Sequence, residues 1–507
     1  MLFELIKRIF RGSSGGQPPP QLAAVQSLME AGALERASAL LAGLLKQAPG
    51  CADVHLWQGR LAARCGRYGD ATAAFDRALT LRPGWTDALL EQALAFKELG
   101  RFEAAIAALD RVIALDPGDH VAYTNRGLAL RELGRYAEAE ASLRRAVELS
   151  PLSASGWGHL GLFLIERGRI DEAIHLLQGI LAQTPEDPDA HLYLATAYLR
   201  RGEFARGWPH FEYRLRRATA QPRRHEFPEW QGGSIGNGAL LIVPEMGPGD
   251  EIMFASCFPD VLARVAPVVI ECEPRLVALF SRSFPGAVVR PALPDRTESN
   301  IAPEFPIAAQ ISAGSLPGLF RGGWEAFPQH SGYLVPDPAK VDRWRSRLAG
   351  MGPGRRIGLS WQGGTVRTRR LLRSMALATL LPVLRVPGTQ FVSLQYTPSE
   401  EEIAALRDSH GVAVHSFPEA NADFDELAAL VSCLDLVVSV QTAVVHLSGA
   451  LGRPCWVLVP AVAEWRYLSE GERMPWYPSV RLFRQTQLGD WGPVITRVAA
   501  ELEGFRS

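Results

Sequence analysis

Residues 100–134 read GRFEAAIAALDRVIALDPGDHVAYTNRGLALRELG, and this stretch holds one complete period of a repeat. Outward from it, Gly32, Gly66, Gly100, Gly134, Gly168 and Gly202 recur every 34 residues, and Pro49, Pro83, Pro117, Pro151 and Pro185 keep the same period. Two registers without slip define a repeat array. Each glycine suits the left-handed cap that ends one helix, and each proline stops the next, because it cannot continue a helix. The unit is therefore helix, Gly turn, helix, Pro turn. Ala71, Phe75 and Ala78 correspond to Ala139, Leu143 and Ala146 one pair of periods later. The small residues let paired helices approach, and the large one fills the space between them. One such hairpin cannot bury its own apolar face, so about six stack into an α-solenoid spanning residues 18–218.

Trp157, Leu160 and Gly161 stand at consensus spacing in the first helix of one unit, and the array resembles the tetratricopeptide repeat (TPR) family. That resemblance implies a superhelix whose concave groove, lined by first-helix residues such as Asn125, holds a protein partner. A dimerisation or spacer module is the alternative reading of the same array. The sixth unit drifts: residues 202–217, GEFARGWPHFEYRLRR, carry Trp208, Phe211 and Tyr213, and these aromatics are expected at a seam with the next domain. The irregular, proline-containing QPRRHEFPEW follows at 221–230.

Beyond Trp230 the periodicity changes. ALLIV (239–243), VVIEC (268–272), RIGLSW (356–361), FVSLQ (391–395), LDLVVSV (434–440) and CWVLVP (455–460) are short, nearly continuous apolar runs. Separated by helical stretches, they predict parallel sheets covered on both faces. A Pro/Gly-rich break near residue 350 divides this half into two doubly wound lobes, 219–350 and 351–507. Such lobes bind ligands outside the carboxyl ends of their strands. No GxGxxG follows the first strand and no GxxxxGK[ST] occurs, which argues against a dinucleotide oxidoreductase and a P-loop NTPase.

Four strand-end loops carry candidate chemistry. PEMGPGDEI (244–252) offers Gly247 and Gly249 for close backbone approach, and Asp250 and Glu251 as candidate general bases; Asp250 reads equally as a helix N-cap. SWQGGTVRTRRLLRS (360–374) places Trp361, Gly363 and Ser374 around a loop whose Arg369, Arg370 and Arg373 suit phosphate, or form a solvated basic face. Gln395 in SLQY is placed to bond a base or ribose. In VSVQTAVVHLSGALGRP (438–454) a strand ends at Val440 and a helix begins near Thr442, so free N–H groups and the helix dipole suit a diphosphate. His446 lies one turn further on the same side.

GPGDEI, the WQG…RS segment, SLQ and DLVVSVQTAVVHLSGALGRPCWVLVP, followed by EWR and PWYPSVRLFRQ, resemble the C-terminal domain of bacterial TPR-fused glycosyltransferases. These are similar to the heptosyltransferase and O-linked N-acetylglucosamine transferase type, and some modify flagellins. The resemblance spans about residues 205–505. It implies a GT-B fold, a nucleotide-sugar donor held mainly in the C-terminal lobe and an acceptor approaching from the first lobe. It also implies inverting, metal-independent transfer with no cofactor. Thr442 and His446 match the family's phosphate-side motif, with Gln441 where an Asp is usual. The first lobe has no His in residues 247–251, where O-GlcNAc transferases use one, so Asp250 or Glu251 would serve. The rival reading is a non-catalytic scaffold with a degenerate transferase domain, which Gln441 favours.

Net charge −1, 47% hydrophobic and 21% charged residues describe a folded chain with no basic field for nucleic acid. Cys51, Cys65, Cys257, Cys272, Cys433 and Cys455 form no CxxC or zinc spacing, and read as buried thiols of a reducing, cytoplasmic compartment. No apolar run is long enough to cross a bilayer. The N-terminal tail (1–17) gathers Leu2, Leu5, Ile6, Ile9 and Phe10 on one helix side, with Lys7, Arg8 and Arg11 elsewhere. It suits weak membrane-surface or partner contact, or packing on the domain.

Overall fold

The computed structural model describes residue 19 and residues 21–151, 154–217, 227–292, 306–364, 370–397, 399–421 and 423–506. The expectation for the N-terminal tail lies outside these residues. The chain divides into two compact units, Met1–Ile165 with Arg169–Tyr193, and Glu166–Gly168 with Leu194–Ser507.

Twelve helices are described between Gln21 and Phe211. They are α1 (Gln21–Glu30), α2 (Leu34–Gln47), α3 (Ala52–Arg64), α4 (Tyr68–Leu81), α5 (Thr86–Glu98), α6 (Phe102–Leu115), α7 (His120–Glu132), α8 (Tyr136–Leu149), α9 (Ala154–Glu166), α10 (Ile170–Gln183), α11 (Pro188–Arg201) and α12 (Phe204–Phe211). All six period glycines adopt φ between +71° and +77°, the left-handed cap that the spacing predicts. At Gly100 the cap closes with Gly100 N–H on Lys97 O (2.9 Å) and Arg101 N–H on Phe96 O (2.8 Å). Phe75, Leu143 and the four alanines paired with them are all buried. A methyl group at Gly127 would lie 2.7 Å from Leu143 Cγ, and one at Gly161 2.9 Å from Leu177 Cδ2, so large residues of second helices seat on first-helix glycines.

Asn125 departs from its expected groove position. It is 0% exposed, and its Oδ1 accepts from Lys97 Nζ at 2.8 Å while its Nδ2 donates to Val121 O at 2.9 Å. Burial, and then the nearby Arg131 charge, lower the Lys97 pKa to about 8. Between pH 8 and the ordinary lysine value of 10.5, the unfolded chain holds a proton that the folded chain has released. Stability must therefore rise with pH across that window. Urea unfolding of the helical unit should show this rise, and Lys97→Met should flatten it; a rise of equal size in Lys97→Met would assign it to other groups.

In the C-terminal unit, β1 (Ala239–Val243), β2 (Val268–Cys272), β3 (Ala287–Pro291) and β4 (Ile307–Ser312) form a parallel sheet of order β3-β2-β1-β4. Its helices are α13 (Pro248–Phe254), α14 (Phe258–Leu262), α15 (Val277–Ser283) and α16 (Leu316–Phe320). The second sheet contains β5 (Arg355–Ser360), β6 (Thr389–Ser393), β7 (Val414–Ser416), β8 (Leu436–Val440), β9 (Cys455–Val459), β10 (Arg473–Met474) and β11 (Tyr477–Arg484). Its order is β10-β11-β9-β8-β5-β6-β7, with only β10 antiparallel. Its helices are α17 (Pro338–Ala349), α18 (Leu381–Leu384), α19 (Glu400–His410), α20 (Phe424–Ser432), α21 (Ala443–Ala450) and α22 (Gly492–Gly504). Every residue of β1, β2, β8 and β9 is buried, as strands covered on both faces require.

Two expected boundaries shift. Helix α17 belongs with the second sheet: Trp344 Nε1 donates to Glu426 Oε2 at 2.9 Å and Lys340 Nζ lies 2.9 Å from Asp425 on α20. That lobe therefore begins by Pro338 rather than near 350. The C-terminal unit also takes in Glu166–Gly168 and everything from Leu194, which lie within the expected repeat array, because α12 is built into its core. Trp208 packs edge-on against Trp465 and Trp476, with centroids 5.7 and 6.3 Å away, and its Nε1 donates to Arg321 O at 2.7 Å.

Candidate functional site

Strand order defines where a ligand would sit. In the first sheet β2 and β3 lie to one side of β1 and β4 to the other; in the second, β6 and β7 lie to one side of β5 and β8 to the other. Each reversal opens a crevice at the strands' carboxyl ends. Three of the four candidate loops, 244–252, 360–374 and 438–454, begin at or beside these crevices, following β1, β5 and β8 respectively.

The two lobes meet through α13 and α21. A methyl at Gly249 would stand 3.2 Å from Ala443 Cα and 3.3 Å from His446 Cδ2, so Gly249 permits the close approach. Gly247 is the N-cap residue of α13, preceded by Met246 at φ +65°. Asp250 stands at the third helical position rather than at the N-cap expected as one alternative, and its Oδ2 accepts a long bond from Gly247 N–H (3.4 Å). Its Oδ1 forms an ion pair with Arg466. Glu251 points elsewhere: it is buried, and its Oε2 accepts from Glu273 N–H at 2.8 Å, bracing the turn after β2. The two adjacent carboxylates thus have different surroundings, and only Asp250 lies beside α21.

In the second lobe, Gly363 allows the 361–364 loop to lie on the start of α21. A methyl there would be 2.6 Å from Thr442 Cγ2 and 3.0 Å from Gln441 O. Ser374 ties the loop's ends together, its Oγ accepting from Gly363 N–H at 3.1 Å. Arg369 lies outside the described residues. Arg370 is exposed and donates to Gln362 Oε1 at 2.6 Å. Arg373 turns inward, with side-chain exposure of 13% and Glu464 at 3.6 Å, and its Nε is buried without a partner among the described residues.

Trp361 and Gln395 serve the loop's architecture. Trp361 is fully buried and donates from Nε1 to Glu402 at 2.8 Å. Gln395 Oε1 accepts from Trp361 N–H (3.1 Å) and Gln362 N–H (3.0 Å), while Nε2 donates to Gln362 O (2.9 Å) and Thr397 Oγ1 (3.0 Å). A side chain so engaged holds the ends of β5 and β6 together, and has no group spare for a base or ribose.

Thr442 caps α21 without a side-chain bond to the helix; its Oγ1 stands 3.1 Å from Ser439 Oγ. Gln441 is 4% exposed and its Nε2 has no partner among the described residues. His446 Nδ1 lies 3.2 Å from Tyr477 Oη. Burial, and then the Arg466 charge, push the His446 pKa down to about 3, so the ring is neutral at physiological pH. Its Nε2 has no hydrogen-bond partner among the described residues. Burial also raises the phenols of Tyr333, Tyr467 and Tyr477, which stay protonated.

Sequence reasoning passed over Arg466, Glu464, Gln485 and Tyr477. They lie in EWR and PWYPSVRLFRQ, stretches recognised as familiar but without a chemical role attached to any one residue. Tyr477 also explains a small residue: a methyl at Gly449 would overlap its ring. Gly449→Ala is therefore expected to cost about 1–3 kcal/mol and to move Tyr477 off His446. Thermal unfolding would register the first effect; an unchanged melting temperature would mean that α21 can slide on β11.

Among the described residues, no group of three or more His, Cys, Asp and Glu side chains is placed to hold a metal ion, and no helix is long and apolar enough to cross a membrane. Of the six cysteines, three are buried, Cys51 and Cys433 are half-buried, and Cys65 is exposed, against the expectation that all are buried.

Comparison with known proteins identifies tetratricopeptide repeats at residues 22–85 and 90–154, and, through a second repeat family, at 130–184 and 164–207. Protein FlbA of Caulobacter vibrioides is 35% identical over 326 residues, covering 61% of this chain and 54% of FlbA. The chain spans about half the length of that relative. A match over 61% of the chain is longer than the repeat region and so extends into the C-terminal unit. Among solved structures, MamA from Desulfovibrio magneticus is 22% identical, with TM-score 0.30, covering 32% of this chain and 90% of its own. A thermophilic TPR protein of Thermus thermophilus is 24% identical, with TM-score 0.31, covering 35% of this chain and 97% of its own.

Proposed function

We propose that this protein is a GT-B glycosyltransferase that moves a sugar from a nucleotide-activated donor to a protein held by its repeats. One observation carries the reading. The strands β1 and β8 lead into helices α13 and α21, where a carboxylate from the first lobe (Asp250) stands near a neutral imidazole from the second (His446), and the second lobe adds N–H donors that have no partner among the described residues (Gln441, Arg373). Donors in excess of acceptors suit a diphosphate, and a carboxylate opposite them suits proton abstraction.

The chemistry follows from that disposition. The acceptor hydroxyl oxygen bonds to the anomeric carbon from the face opposite the leaving group. The bond from that carbon to the phosphate oxygen breaks, and the diphosphate departs with the electron pair. Asp250 takes the hydroxyl proton. The N–H groups of Gln441, Arg373 and the start of α21 stabilise the charge growing on the leaving diphosphate. The repeats raise the acceptor's local concentration to about the millimolar range, which compensates for a weak acceptor site.

Calorimetric titration with UDP, GDP, ADP and CMP tests the donor site. At least one should bind. A hydrogen bond to a charged group contributes about 1.5–3 kcal/mol, so His446→Ala and Arg373→Ala should each weaken it about tenfold or more. Unchanged affinity in both variants would remove these residues from the site. A non-catalytic scaffold is the second reading, favoured by one observation, that Asp250 is already paired with Arg466. It predicts partner binding by the repeats with no turnover of any donor.

A further inference from the structure

Four side-chain N–H groups near the carboxyl ends of the second sheet are buried and have no partner among the described residues: Nε2 of Gln441, Nε2 of Gln485, Nε of Arg373 and Nε of Arg466. Gln441 and Gln485 are 4% and 5% exposed. They follow β8 and β11, which flank β9, so the two backbones are about 10 Å apart at the usual strand spacing. Ala461 N–H donates to Gln485 Oε1 at 3.2 Å, which leaves the amide's NH2 as the free end. Buried donors without acceptors are costly, and four that follow the carboxyl ends of one sheet call for a ligand rich in anionic oxygens.

The charges nearby form an alternating line. Arg373 lies 3.6 Å from Glu464, Glu464 lies 3.6 Å from Arg466, and Arg466 pairs with Asp250 across the lobes. Each arginine already has a carboxylate neighbour, yet each keeps one buried N–H with none. On Arg466, Asp250 and Glu464 face the two terminal nitrogens, and a ligand that recruits the whole guanidinium must compete with them. One oxygen of Asp250 is engaged by Arg466 and the other by a long bond from Gly247 N–H.

We propose that Arg466 exchanges partners: it holds Asp250 until a diphosphate enters among the four N–H groups, then turns to the diphosphate and frees Asp250 to receive the acceptor's proton. This rests on the glycosyl-transfer reading above and adds an order to it. The donor must bind before the base becomes available. Arg466 and Gln485 become diphosphate ligands, and Glu464 becomes the second competing carboxylate.

The exchange has a signature of unusual sign. If Asp250 and Glu464 compete with the ligand, neutralising either one should strengthen anion binding. Inorganic pyrophosphate titrated into the full-length protein is the probe, with UDP, GDP and ADP in parallel, and circular dichroism confirming that each variant is folded. Asp250→Asn and Glu464→Gln should each bind pyrophosphate about five- to tenfold more tightly than the wild type, as removal of a nearby like charge predicts. Arg466→Gln and Gln485→Leu should bind it at least tenfold more weakly. A merely structural ion pair would give the opposite sign in Asp250→Asn, because breaking it loosens the site. Tighter binding without turnover of any donor would uphold the exchange and overturn the transferase reading. Wild-type binding that Asp250→Asn and Glu464→Gln leave unchanged or weaken would overturn the exchange alone, as would wild-type affinity in Arg466→Gln. No binding of any probe by any of these proteins would overturn both.

Discussion

Asp250→Asn is expected to lower sugar transfer by about 10²- to 10⁴-fold, the usual contribution of a positioned general base. The substitution keeps the side chain's size and an oxygen that can accept from Arg466 but removes the charge of the pair, so the lobes stay together, Arg466 is held less tightly and proton acceptance is lost. Glu251→Gln is the control. That carboxylate is buried and braces the backbone at Glu273, so its neutralisation should lower stability and leave the rate of the folded protein near wild type. The reverse pattern, with Asp250→Asn active and Glu251→Gln inactive, would transfer the role to Glu251. Steady-state rates on the same acceptor decide between them.

The second large effect concerns stability. Trp208→Ala is expected to destabilise the C-terminal unit by about 3–5 kcal/mol, the range for removal of a buried tryptophan. Trp208 is 3% exposed and joins Phe204, Phe211, Trp465 and Trp476 in one aromatic cluster. Its loss also leaves Arg321 O without the indole donor. Trp465 adjoins Arg466, whose guanidinium lies 4.8 Å from the Trp465 ring centroid, so the cluster supports the cation that faces Asp250. Chemical denaturation should show the C-terminal transition moving while the repeat transition stays in place. A loss confined to the repeats would mean that α12 belongs to the solenoid.

These residues also show how far the sequence was legible. The solenoid was readable because its signals are local: a glycine at the end of one helix and a proline at the end of the next need no distant partner. Six strands were readable because β1, β2, β5, β6, β8 and β9 are central and carry short buried apolar runs. Strand β3 was missed because its residues are half-buried or exposed, and β11 because Arg481 and Arg484 interrupt its apolar pattern. Those arginines are satisfied by Glu501 and by the carbonyls of Leu468 and Gly471, partners that only the fold brings near.

Strand order was not legible, because parallel pairing joins segments far apart in sequence. The two crevices follow from that order, and so does the grouping of Gln441 with Gln485. Arg466 illustrates the same limit. A single arginine in EWR carries no recognisable spacing, and it becomes informative only beside Asp250, 216 residues earlier. Gln395 failed in the other direction: a glutamine at a strand end suits a nucleotide in principle, yet here every one of its polar atoms is spent on the loop it was expected to serve with. Asn125 likewise was assigned to a groove surface by its helix, and is buried by Lys97.

The central claim is that the α/β unit consumes a nucleotide sugar. Its most direct test is release of nucleotide from a panel of UDP-, GDP-, ADP- and CMP-sugars incubated with the wild-type protein and with Asp250→Asn. Consumption of at least one donor by the wild type, at a rate reduced about a hundredfold or more in Asp250→Asn, is the result predicted. A folded wild-type protein that consumes none of them, with or without a protein bound to its repeats, would contradict it.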